Sequence, residues 1–233
     1  MIGKVYLIPT SLGNSGLSKV IPEQVLHLLD IINYYLVENE RSARRFIVEA
    51  GRKDRLPEIT FFVIDKHSDS INYQPILKLA AQGQDIGVMS EAGCPGIADP
   101  GSDFVALAHQ YQLQVVPLVG PSSVLLAMMA SGFNGQNFAF NGYLPVKNPD
   151  KAKKIKQLEN MARTQKQSQI FIEAPYRNAQ IFEELMLTCL PDTRLCIAAD
   201  ITLETELIKT KTIAQWKTSK PDLTKRPAIF IIG

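Results

Sequence analysis

The chain has 233 residues, 45% of them hydrophobic, and a formal net charge of +2. That length buries one or two ordinary cores, and so small a charge does not by itself mark a nucleic-acid binder. Cys94, Cys189 and Cys196 are odd in number and match no metal-ligand spacing, so free thiols in a reducing compartment are expected, with neither a disulfide scaffold nor a metal site.

Lys4 to Ile8 reads as a short buried strand that ends at Pro9 and runs into the polar loop TSLGNSG. Gly13 and Gly16 do not make a dinucleotide-binding fingerprint. A helix begins at Pro22 and turns Val25, Leu26, Leu28, Leu29 and Ile32 inward. Strand Tyr34 to Val37 follows, and Glu38, Asn39, Glu40 and Arg41 stand at its end. On the next helix, which stops at Gly51, Arg41, Arg44 and Arg45 form a row able to grip phosphate or to pair with Glu38 and Glu40. Strand Ile59 to Ile64 and helix Ile71 to Ala81 lead to strand Ile86 to Met89.

Ser90 to Gly101 then holds three Gly and two Pro, so it is a loop at a strand's carboxyl end, where open α/β sheets bind small ligands. Asp99 is expected to cap the helix after it, the alternative being a carboxylate that orients a substrate. The layout repeats with strand Gln114 to Pro117, loop Leu118 to Pro121 and a helix opening at Ser122 and Ser123. Strands alternating with helices at this spacing predict a parallel, doubly wound first domain over 1–117 and a second domain over 118–233.

The second half continues with strand Phe138 to Asn141, a Pro-containing loop, helix Lys151 to Ala162 and strand Gln169 to Ile172, which ends in Glu173, Ala174, Pro175, Tyr176 and Arg177. Helix Asn178 to Leu187, strand Arg194 to Ala199 and a β ribbon pairing 206–212 with 227–232 complete a mixed sheet. Charge is uneven here: Lys147 to Arg177 carries eight Lys and Arg against three acids, whereas Asn178 to Ile208 carries one against six. The basic stretch is either a solvated helix face or a phosphate-tracking patch. No apolar run approaches the roughly 20 residues of a membrane span, and the start lacks the order of a signal peptide, so a cytoplasmic protein without a membrane partner is expected. Cys94 has no histidine near it in sequence to activate it as a nucleophile. Glu91 and Glu173, each at a strand end, are both candidates for a general base.

The run SEAGCPGIADPG followed by VVPLVGPSS resembles the signature of the tetrapyrrole methylase superfamily. KVYLIPTSLGN, YYLVENERSARRFI, FNGYLPVK, FIEAPYR and RPAIFIIG resemble, in order and spacing, the motifs of its bacterial 16S rRNA cytidine 2′-O-methyltransferase branch. Asn39 and Glu40 depart from that branch, which has Asp-Thr between the matching Glu38 and Arg41. The resemblance implies two α/β domains with an S-adenosylmethionine cleft between them, a homodimer, and rRNA or the small ribosomal subunit as partner. It implies cofactor contacts from Pro9, the backbone of Ala92, Gly93 and Cys94, Ile97, Ser122, Ser123, Glu173, Ala199, Pro227 and Ala228. The motif matches and the basic stretch together suggest Glu38, Arg41, Lys147, Lys151, Lys154 and Arg177 for the substrate. A methyltransferase acting on a tetrapyrrole, and a noncatalytic cofactor-binding module, are the alternatives.

Overall fold

A computed structural model describes residues 2–64 and 72–233. His67 and the first residue of the expected helix Ile71 to Ala81 lie outside the described residues. The chain divides into two compact units, Met1–Ser122 and Ser123–Gly233.

The first unit contains β1 (Lys4–Ile8), α1 (Leu17–Val20), α2 (Glu23–Leu28), β2 (Tyr34–Val37), α3 (Glu40–Glu49), β3 (Thr60–Val63), α4 (Gln74–Ala81), β4 (Ile86–Met89), α5 (Ser102–Gln110) and β5 (Gln114–Pro117). Its sheet has the order β3-β2-β4-β1-β5, and every pairing is parallel. Each central strand is a short, nearly continuous apolar run because both faces are covered. On one face Ile8, Tyr35, Val37 and Met89 pack with Val25, Phe46 and Ile47 from α2 and α3. On the other, Val5, Leu36, Ile86 and Val88 pack with Ile76 and Leu77 of α4 and Phe104 and Ala108 of α5.

The second unit contains α6 (Ser123–Ser131), β6 (Phe138–Tyr143), α7 (Asp150–Gln165), β7 (Ser168–Ile172), α8 (Asn178–Thr188), β8 (Arg194–Ala199), β9 (Leu207–Thr212), α9 (Ile213–Lys217) and β10 (Ala228–Ile232). The sheet order is β6-β7-β10-β8-β9, parallel only between β6 and β7. The expected ribbon of 206–212 with 227–232 does not form, since β8 lies between β9 and β10. Composition explains the correction. AIFII in β10 is buried at every position and belongs in the middle of a sheet, whereas LIKTKT in β9 keeps a half-solvated edge. Leu195, Ile197, Phe230 and Ile232 face α7, α8 and α9, and Trp216 of α9 donates its indole N–H to the Leu195 carbonyl at 2.9 Å. On the opposite face α6 packs on β8, β9 and β10.

Candidate active site

In the first unit β1 and β4 are neighbours, but β1 leads into α1 and α2 toward one face and β4 into α5 on the other. Adjacent parallel strands whose connections leave to opposite faces open a crevice at their carboxyl ends, the usual ligand position in such sheets. Three loops meet there. The Thr10 N–H donates to the Gly93 carbonyl at 2.9 Å and the Gly93 N–H to the Thr10 carbonyl at 3.2 Å, which staples the loop after β1 to the loop after β4. The Ser90 hydroxyl donates to the Gly93 carbonyl at 3.1 Å, and the Thr10 hydroxyl to the Ser90 carbonyl at 3.3 Å. From the loop after β5, the Pro121 carbonyl accepts from the Cys94 thiol at 3.4 Å. Gly120 lies so close to Pro9 that a Cβ there would stand 2.2 Å from the proline ring. The fold therefore gathers Pro9, Gly93 and Cys94, with Ala92 and Ile97 exposed on the same loop.

The chemistry of these loops suits a cation. Pro9 to Leu17, Ser90 to Gly101 and Leu118 to Ser123 hold no Lys or Arg, and their charged residues are Glu91 and Asp99. Backbone carbonyls and a carboxylate can receive a sulfonium and an α-ammonium, and Gly96, at φ 77° with open space where a Cβ would stand, leaves backbone uncovered. S-adenosylmethionine fits this donor set. Burial pushes the Cys94 thiol up from its ordinary range, so it stays protonated and is a poor nucleophile. Asp99 does not take the cap expected of it: Gly101 occupies the N-cap of α5, at φ 124°, and makes no side-chain cap bond.

Glu38, at the end of β2, lies on the same sheet edge, since Val37 pairs with Met89. Asn39, which departs from the branch pattern, caps α3 by accepting from the Ser42 N–H at 3.1 Å, a task Asp and Asn perform about equally. The Ser42 hydroxyl donates to Glu91 at 3.0 Å, the one hydrogen bond that this exposed carboxylate makes among the described residues. Arg44 pairs with Glu40 at 2.7 Å and stacks on Phe61, so the pairing alternative holds for it, while Arg41 remains exposed.

In the second unit β7, β10 and β8 are adjacent, and their register sets Ala228 opposite Ala199 and Ile229 opposite Ile172. Glu173, Pro227, Ala228 and Ala199 are thereby brought to one sheet edge. Glu173 is buried and accepts from Arg177 at 2.9 and 2.5 Å and from the Ala174 N–H at 2.7 Å, all at Oε1. Its Oε2 is buried without a hydrogen-bond partner, a capacity a polar ligand can meet. The Glu173 carboxylate pushes the Arg177 pKa further up. Sequence reasoning missed a second knot at this edge. Arg226 donates to Asp200 at 2.7 Å, the Asp200 N–H to the Pro227 carbonyl at 3.0 Å, and the Asn178 amide to the Arg226 carbonyl at 2.6 Å. Asp200 directly after a buried strand, and Arg before Pro227, were the available signals.

The expected lysine row changes. Lys151 is 8% exposed and shares the inward stripe of α7 with Ile155, Leu158 and Ala162, so it is not on the solvent face proposed to meet phosphate. Lys153 and Lys156 are exposed, Lys154 is half-buried near Gln157, and Lys147 is exposed in the preceding loop. A cavity of about 380 Å³ opens at the strand-start edge of this sheet, lined in part by Phe133, Arg163, Lys166 and Arg194. None of the expected site residues lines it, and its arginines are engaged, Arg163 with Asp192 at 3.1 Å and Arg194 over the Phe133 ring.

No family model matches the chain. It is 27% identical over 211 residues to a ribosomal RNA small subunit methyltransferase I from Vibrio cholerae, covering 91% of this chain and 69% of that protein. It is 28% identical over 235 residues to the protein of that name from Haemophilus influenzae, covering 100% and 79%. Among solved structures, the methyltransferase CobJ superposes with a TM-score of 0.64 at 17% identity, over 99% of this chain and 94% of that one. Uroporphyrin-III C-methyltransferase from Thermus thermophilus, solved with the demethylated cofactor S-adenosylhomocysteine, gives 0.59 at 18% identity over 99% and 97%. The chain is thus similar in sequence to ribosomal RNA small subunit methyltransferases and shares the fold of these two solved methyltransferases.

Proposed function

We propose that the protein is an S-adenosylmethionine-dependent methyltransferase that methylates small-subunit ribosomal RNA, at a ribose hydroxyl. The observation that carries this reading is the set of three cation-free, glycine- and proline-rich loops at the β1/β4 crevice. When bound, the cofactor supplies an activated methyl group, and the protein's task is positioning. The backbone about Gly93 and Cys94 holds the cationic end. Glu91, exposed and held by one serine hydroxyl, is the carboxylate placed to accept the ribose proton. Glu173 is unsuited to that role, because it is buried and its Oε1 is held by two guanidinium bonds and the Ala174 N–H; it is instead a fixed acceptor at its strand end.

The RNA reading is favoured over the tetrapyrrole one by where the cations are. At the Glu173 edge the arginines that could meet a macrocycle's carboxylates are engaged, Arg177 by Glu173 and Arg226 by Asp200. Lys147, Lys153 and Lys156 are exposed to meet a phosphate backbone. An rRNA substrate supports a cytoplasmic location. Among the described residues no helix is long and apolar enough to cross a membrane. We also infer a homodimer: α6 is apolar on every side, and Met129 is 80% exposed and Leu125 53%.

The deciding experiment incubates purified protein and methyl-labelled cofactor with small ribosomal subunits, free rRNA and a tetrapyrrole precursor. Label in rRNA, lost in Glu91→Gln with cofactor affinity retained, is the expected result. Label in the tetrapyrrole alone, or in none, overturns the reading.

A further inference from the structure

Folding leaves apolar surface uncovered at the edge of the second unit that carries Glu173. Tyr143, the last residue of β6, is 61% exposed, and Tyr176, in the turn after β7, is 72% exposed. Val146 is 54% exposed. β6 and β7 are parallel neighbours with Tyr143 opposite Ile172, so both tyrosines stand at the same ends of adjacent strands.

Tyr176 is not loose. The Arg177 guanidinium lies over its ring at 5.1 Å and donates to its hydroxyl at 3.0 Å. The same guanidinium is fixed from the other side by Glu173, whose side chain is 1% exposed. A buried carboxylate thus orients an arginine, and the arginine orients an exposed aromatic ring. Holding a ring this way removes rotamer freedom before any partner arrives, which favours binding by preorganisation. Exposed Lys147 follows Tyr143 in the next loop. Aromatic faces interleaved with cations at strand ends match the chemistry of unpaired nucleobases on a phosphate backbone.

We propose that Tyr143 and Tyr176 form a stacking platform for unpaired nucleobases of the RNA substrate, and that Arg177 is a positioning residue for Tyr176, not a phosphate ligand. This rests on the RNA reading above. A second copy of the chain fits the patch less well, because the centres of protein interfaces shed charge and Lys147 stands here.

The test uses a short single-stranded RNA carrying a fluorescent base analogue whose emission falls on stacking, titrated at several salt concentrations. Wild type should quench it, and Tyr176→Phe should do the same. Tyr176→Ala should bind on the order of tenfold more weakly and lose the quench at an unchanged salt slope, since no phosphate contact is removed. Its ring is exposed, so its melting temperature should stay near that of wild type. Arg177→Gln, made together with Glu173→Gln so that no buried charge is stranded, should also lose quench without changing the slope. A slope shallower by about one would make Arg177 a phosphate contact and overturn its assigned role. Quench and affinity unchanged in both Tyr143→Ala and Tyr176→Ala would overturn the platform while leaving the RNA reading intact. So would dissociation of a dimer by Tyr176→Ala with RNA binding preserved, which would give the surface to a second copy. A wild-type protein that binds no RNA and labels no rRNA would instead overturn the RNA reading itself.

Discussion

Cys94 sits in the loop of greatest chemical interest, yet its thiol is made less acidic by burial and points its hydrogen at the Pro121 carbonyl. Cys189 goes further, pushed up to about 12 by burial and by the nearby Glu159 carboxylate. In the native protein at pH 8, alkylation of all three cysteines should be slower than that of a free thiol, and denaturant should release all three; rapid native labelling of Cys94 would contradict this. The sign for stability follows. Below the ordinary thiol value of 9.0, Cys189 is protonated folded or unfolded, whereas above it the unfolded chain loses a proton that the fold retains. Melting temperatures should therefore fall between pH 9.0 and about 12, and fall less steeply in Cys189→Ala. Gly120 offers a second residue-scale test, because a methyl there meets the Pro9 ring at 2.2 Å. Gly120→Ala should weaken cofactor binding by calorimetry at least tenfold, while Gly135→Ala, with open space around it, should not. That Glu91, Gly93 and Cys94 lie in a loop at a strand's end was legible in sequence, because clustered glycine and proline break a strand. The pairing of Asp200 with Arg226 was not, since nothing local ties residues 26 apart.

Elements were legible wherever an apolar tetrad met a Gly- or Pro-rich loop, which recovers the five strands of the first unit. They were misread where pairing depends on distant chain. The strand over 207–212 was anticipated, but its partner was assigned by sequence order, and the burial of every β10 residue overrides that order. Helix α9 went unseen although Thr212 and Gln215 make a capping box readable as T-x-x-Q. Lys151 was read by its charge, when the stripe it shares with Ile155 and Leu158 decides where it lies. Within that stripe Glu159 also faces inward, and it ties α7 to the turn before β8 by accepting from the Leu190 N–H at 2.8 Å and from the Thr193 hydroxyl. Glu159→Ala strands both donors. Urea unfolding of this variant should show a loss of about 2–3 kcal/mol, and a loss below about 0.5 kcal/mol would show that the tie does not hold the helix.

At the scale of the whole molecule the expected homodimer is open to a direct test. Met129→Glu places a charge on the exposed side of α6 and should shift the sedimentation profile to monomer without changing the melting temperature of the chain. The two sheets also differ in when their centres are made. In the first, the central strand β4 joins β2 to β1 while β5 is still to be made. In the second, β10 is made after the other four strands of its sheet and yet fills the gap between β7 and β8. Until residues 228–232 leave the ribosome, the parallel β6-β7 pair and the β8-β9 hairpin each present an open edge lined with Ile170 and Phe171 or with Cys196 and Ile197. Such edges pair with other chains when left waiting. A protein whose own synthesis is arrested before residue 228 should accordingly be held by chaperones or lost to aggregates, whereas arrest soon after β5 should release a first unit whose sheet is already complete.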